Sequence, residues 1–139
     1  MSLVNFPVER RRKRSNRAHA AMTYQLEHVF EQQDLTHLAL GDASGLLLAS
    51  AGEADEATTL VAYAPVLSTR QGASRREMLG QLRSHLPHID ADNLSIRRFR
   101  VDGQDLFLCC VADESAARQA SLYRTVTGIR RILKQTAAA

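Results

Sequence analysis

Residues 36–51 read THLALGDASGLLLASA, two short apolar runs on either side of Asp42-Ala43-Ser44-Gly45. Asp favours the first position of a type I turn, and Gly45 supplies the positive φ that closes such a turn with a bulge. The spacing predicts a β-hairpin. Leu38 and Leu40 alternate with Ala39 on the first strand, and Leu46 and Leu48 alternate with Leu47 and Ala49 on the second. Both alternating sets are apolar, the pattern of a sheet covered on both faces rather than half-solvated.

Upstream, Ala18, Met22, Leu26, Val29 and Phe30 fall on one stripe at spacings of three and four, which predicts a helix from about Ser15. Its opposite face carries His19, Gln25, Glu27, Glu31 and Gln32. Residues 1–9 show no period and include Pro7, so they are expected to be poorly ordered. Downstream, Gly52 ends the second strand, and Asp55 and Glu56 suit the first turn of a helix, where carboxylates complement the dipole. Leu60, Val61, Ala64 and Leu67 form that helix's buried stripe. Pro65 predicts a kink or break near Ala64, since proline in a helix interior costs about 3 kcal/mol.

Ser74-Arg75-Arg76-Glu77 has the spacing of a capping box and opens a short helix to about Leu86, which Pro87 ends. Leu94–Val101 reads as a strand from its β-branched and aromatic content, Asp102-Gly103 as a hairpin turn, and the apolar run Leu106–Ala112 as a central strand. A last helix, capped by Asp113 or Ser115, runs to about Lys134 on a stripe of Leu122, Val126, Ile129 and Leu133. Gly128 within it costs roughly 1 kcal/mol relative to Ala and is expected to mark close packing of another backbone. Helices flanking two tight-turned strand pairs define an α+β chain, an antiparallel sheet of two hairpins with N-terminal, central and C-terminal helices.

The length of 139 residues suits one domain, placed at residues 15–139 behind a flexible basic tail over residues 1–14. Six of the 18 Lys and Arg residues lie within residues 1–17 against Glu9 alone, so that segment carries +5 and the remainder −2. Arg10, Arg11, Arg12, Lys13 and Arg14 are therefore the candidate binding residues. The run reads either as a solvated tail or as a contact for an acidic partner, nucleic acid or anionic lipid. The lack of Trp, with seven aromatics none of which interleave with these arginines, weighs against nucleic acid. A lipid role needs a second anchor, which the sequence does not show. The preference for arginine over lysine matches GC-rich coding and is not read as phosphate recognition. Apolar runs fall far short of the ~20 residues of a membrane span, and no apolar stretch follows the basic cluster as in a secretory signal. Adjacent Cys109 and Cys110 point to opposite faces of a strand and staple nothing, which suits a reducing compartment, the cytoplasm by default.

Chemistry is sparse. His85, His88, Asp90 and Asp92 gather imidazoles and carboxylates, but Pro87 makes the segment an irregular loop and no established ligand spacing is matched. The sequence assigns no metal and no cofactor. Cys109, set within an apolar run, reads as inert core, and Ser44 and Ser50 as ordinary turn and strand serines. The seven glycines form no phosphate loop, and no acid–base pair stands at a recognisable spacing. No catalytic residue is assigned.

The N-terminal helix, the hairpin of form apolar–Asp–x–x–Gly–Leu–Leu–Leu–Ala, the acidic stretch, the Ala-rich helix, the second β region and the long C-terminal helix together resemble the roadblock/LC7 family, within the profilin-like and longin-like set. Residues 26–67 carry the match, chiefly through Asp42, Gly45, Leu46, Leu48 and Ala49. The resemblance implies a non-enzymatic module, usually a homodimer, that scaffolds complexes or modulates Ras-like small GTPases. It also implies long helices paired across a dimer interface, often with sheets joined edge to edge. The chain departs from the pattern in having two strands rather than three in its second β region, and in the extra helix at Arg75–Leu86. A small-molecule sensor of GAF or PAS type, with a cavity between the sheet and residues 65–86, is the alternative.

Overall fold

The computed structural model describes the backbone of residues 5–138 and the side chains of residues 16–135. Its elements are α1 (Asn5–Gln33), β1 (His37–Asp42), β2 (Leu47–Ala51), α2 (Ala54–Thr69), α3 (Gly72–His85), β3 (Leu94–Val101), β4 (Gln104–Val111) and α4 (Ser115–Ala138). The strands form one antiparallel sheet in the order β2-β1-β4-β3. This is the expected α+β layout of two hairpins, with β1 and β4 pairing to join them.

The 42–45 turn forms as its residues dictate. The Gly45 N–H donates to the Asp42 carbonyl at 3.0 Å, with Gly45 at φ 83°. Asp42 Oδ1 accepts from the Ser44 N–H (2.9 Å), the Ser44 hydroxyl (2.6 Å) and the Leu46 N–H (3.1 Å). These donors hold the carboxyl below the usual carboxylate range, the Ser44 hydroxyl most of all. Leu40 pairs with Ala49 and Gly41 with Leu47, so Leu48 is the extra residue of a bulge. Leu46 precedes the strand and is 62% exposed, rather than alternating within it. The second hairpin turns through Asp102 and Gly103, at φ 50° and 79°, the pair of positive φ values that a two-residue hairpin loop needs.

Alternation along the strands sorts the core into two layers. Leu38, Leu40, Leu106, Leu108 and Cys110 pack with Met22, Leu26 and Val29 of α1 and Leu122 and Ile129 of α4. Ala39, Phe107, Cys109 and Val111 pack on the other face with Leu60, Val61, Ala64 and Leu67 of α2, and with Leu79 and Leu82 of α3. Arg118 is buried at the α4 end of the first layer. Its Nε donates to the Ser95 hydroxyl at 2.8 Å and its Nη1 to the Ala112 carbonyl at 2.7 Å, tying α4 to β3 and to the end of β4.

Four local expectations are corrected. α1 begins at Asn5 rather than near Ser15, and Pro7 sits in its first turn, where no N–H is needed. α2 is not broken at Pro65 but continues to Thr69, because complete burial of Leu60, Val61, Ala64 and Leu67 outweighs one lost hydrogen bond. α3 starts at Gly72, so Ser74 already lies inside its first turn and caps nothing; its hydroxyl accepts from Arg70 Nη1 at 3.4 Å. Gly128 faces the Gln25 side chain rather than a backbone, with Gln25 Cδ 2.5 Å from where a Cβ would stand.

Candidate functional site

The outer seam between α1 and α4 is the surface best suited to recognition. A shallow cleft of about 290 Å³ runs between Gln25, His28 and Gln32 of α1 and Tyr123, Arg124 and Arg131 of α4, with Gly128 among its lining residues. Tyr24 stacks on His28 with ring centroids 6.3 Å apart, yet remains 72% exposed, and Tyr123 is 68% exposed. Arg124 Nη1 donates to Gln32 Oε1 at 2.8 Å, fixing the seam in register. Two exposed rings beside polar and cationic groups suit a protein contact, since Tyr offers an apolar body with a polar tip.

Cys109, Ser44 and Ser50, weighed in the sequence, have no reactive setting. Burial pushes the Cys110 thiol up to about 12 and the Cys109 thiol higher still, so neither forms a thiolate near neutrality. Arg75 Nε donates to the Leu67 carbonyl at 3.1 Å, which makes it a brace between α2 and α3, whereas Arg76 and Arg83 are exposed on α3. Ser44 serves the turn and Ser50 pairs opposite Ala39 in the sheet. Leu67, Leu79, Leu82, Leu86 and Ile89 pack beneath residues 65–86, and beside them an open cleft of about 350 Å³, lined by Leu67, Arg70 and Arg75 on one side and Ile96 and Arg98 of β3 on the other, lies where the sensor alternative places its cavity. The side chains of Arg10, Arg11, Arg12, Lys13 and Arg14, like all side chains of the expected tail over residues 1–14, lie outside the described residues.

The loop after α3 is more ordered than a polar connection requires. Asp90 Oδ1 accepts from the N–H groups of Asp92 (2.8 Å) and Asn93 (3.1 Å), Asn93 Nδ2 donates to the His88 carbonyl (2.8 Å), and Ile89 is fully buried. The loop thereby holds His88 against two residues that the sequence reading missed, His37 at the start of β1 and Glu56 in the first turn of α2. Glu53 fixes the second of these by capping α2, its carboxylate oxygens accepting from the Asp55 N–H (3.1 Å) and the Glu56 N–H (2.7 Å). His37 Nε2 lies 3.5 Å from Glu56 Oε2 and 3.5 Å from His88 Nε2, and His88 Nε2 lies 3.7 Å from Glu56 Oε2. His37 is only 2% exposed, and burial lowers its pKa against the opposing pull of Glu56. His85 turns elsewhere, its ring 6.4 Å from that of Tyr63. No spacing in the chain announces this trio, because its members come from three separate elements.

The sheet order β2-β1-β4-β3 and the helices on both its faces make a fold of roadblock/longin type. Its fold is similar to that of Myxococcus xanthus MglB, with a TM-score of 0.56 over 85% of this chain and 91% of that one, at 11% sequence identity. No protein-family model and no curated protein matches the chain by sequence.

Proposed function

We propose that the chain is a non-catalytic interaction module that acts as a homodimer and scaffolds or regulates a partner such as a Ras-like small GTPase. The observation that carries this reading is the roadblock/longin-like fold itself. In support, the sheet is packed on both faces and the exposed aromatic surface lies on the outer α1–α4 seam. That seam is the contact for the second copy. The basic run Arg10–Arg14 adds long-range attraction to an acidic partner surface, nucleic acid and anionic lipid being the other polyanions it would draw. Two buried free thiols suit the reducing cytoplasm. Among the described residues no helix is long and apolar enough to cross a membrane.

The test is sedimentation equilibrium at micromolar concentration, followed by binding to a panel of Ras-like GTPases loaded with GDP or a GTP analogue. The expected result is twice the 15.4 kDa chain mass and a nucleotide-dependent complex with one GTPase. A stable monomer that binds none of them would overturn the reading.

A further inference from the structure

We propose that His37, Glu56 and His88 form a binding site for a divalent transition metal ion, zinc above all, which clasps the α3–β3 loop and the first turn of α2 to the start of β1. The three atoms His37 Nε2, Glu56 Oε2 and His88 Nε2 are the corners of a nearly equilateral triangle with edges of 3.5, 3.5 and 3.7 Å. The centre of such a triangle lies about 2.1 Å from each corner, within the roughly 2.0–2.2 Å of zinc–nitrogen and zinc–carboxylate bonds. Closure by a few tenths of an ångström at the half-exposed His88 seats the ion above that plane with tetrahedral angles.

Hydrogen bonding alone leaves the trio poorly satisfied. The edges are longer than the ~2.7–2.9 Å of a charge-assisted hydrogen bond, and Glu56 Oε2 is buried with no hydrogen-bond partner. A buried carboxylate oxygen without a donor is costly, and a cation at the centre of the triangle removes that cost. Two imidazoles with one carboxylate select zinc and its neighbours over magnesium or calcium, which take all-oxygen ligand sets.

The site is also held from outside. The 88–93 hydrogen bonds fix the His88 backbone, Glu53 fixes the turn bearing Glu56, and the His37–Val111 pairing fixes His37. A Cβ at Gly52 would stand 3.2 Å from His37 Nδ1, so the glycine gives the ring its room. Three protein ligands leave a fourth position for water on the side where His88 meets solvent.

The probe is Zn2+ alone, titrated calorimetrically into the full chain after chelator treatment, with Co2+ as a spectroscopic substitute. The expected result is one ion per chain, tetrahedral Co2+ bands in the visible, and a thermal midpoint that rises with zinc concentration. His88→Ala removes an exposed ligand that the core does not need, and Glu56→Gln keeps the shape while removing the charge. Each is expected to lower zinc affinity at least tenfold and to abolish the midpoint shift, while His85→Ala binds as the native chain does. The proposal is overturned if the native chain shows no saturable one-to-one binding, or if either His88→Ala or Glu56→Gln retains native affinity.

Discussion

Asp42 and Gly45 show how much of this fold rests on single side chains. Asp42 accepts three hydrogen bonds across the turn, so Asp42→Ala is expected to cost about 1–2 kcal/mol, read from urea midpoints at neutral pH. Because the folded state holds this carboxyl below its ordinary pKa, its contribution is complete above roughly pH 4 and fades as the pH falls through the folded value. The stability gap between the native chain and Asp42→Asn is therefore expected to be widest near neutrality and to narrow as the pH falls below the ordinary carboxylate pKa of about 4. A gap that widens on acidification would mean that Asp42 acts through something other than its ionised form. Gly45→Ala strains the αL position and brings a Cβ to 3.3 Å from the Ala62 backbone, so it too is expected to destabilise, by about 1–2 kcal/mol.

At the scale of the element, tertiary burial decides what local propensity leaves open. Gly128→Ala gains up to about 1 kcal/mol of helix propensity and meets the Gln25 side chain from Cγ outward, a flexible group whose weak 3.4 Å hydrogen bond to the Arg124 carbonyl is easily given up. The substitution is expected to be neutral or slightly stabilising by thermal melting, whereas packing against a backbone would make it strongly destabilising. In α1 the first buried residue among those described is Ala18. Removal of Met1–Arg14 is accordingly expected to leave the melting temperature nearly unchanged while abolishing salt-sensitive retention on a polyanion column. Both hairpins were legible in the sequence because Asp42–Gly45 and Asp102–Gly103 carry their turn chemistry locally. The two-sided burial of β4 was legible from its unbroken apolar run. Pro65 and Ser74 misled because a helix boundary depends on what the neighbouring stripe buries, which no four-residue window contains. The pairing of β1 with β4 was not readable, since alternation marks the faces of a strand but not its neighbour. For the same reason the trio of His37, Glu56 and His88 emerges only once β1, α2 and the loop after α3 are brought together.

For the molecule as a whole, the question is which surface carries function and whether any residue on it does chemistry. Tyr24 and Tyr123 make the α1–α4 seam the expected dimer contact, so Tyr24→Asp with Tyr123→Asp should yield a folded monomer in sedimentation, and a persistent dimer would place the contact elsewhere. Direct chemistry on a GTPase would require an arginine delivered from a rigid support into the partner's phosphate site, and such a residue is worth about 10³–10⁵ in turnover. Of the arginines on α3, Arg75 is committed to the Leu67 carbonyl, while Arg76 and Arg83 stand on the exposed face of the helix. A residue that only contacts the partner contributes to binding, and its loss is compensated by raising the concentration. A residue that stabilises the transition state contributes at saturation as well. Arg75→Ala, Arg76→Ala and Arg83→Ala, each measured at a saturating level of this chain, are therefore expected to change the partner's GTP turnover by less than tenfold. A thousandfold fall from any one of them, with binding unchanged, would show that the chain supplies a catalytic group and would overturn the reading of a module that works by positioning the GTPase's own loops.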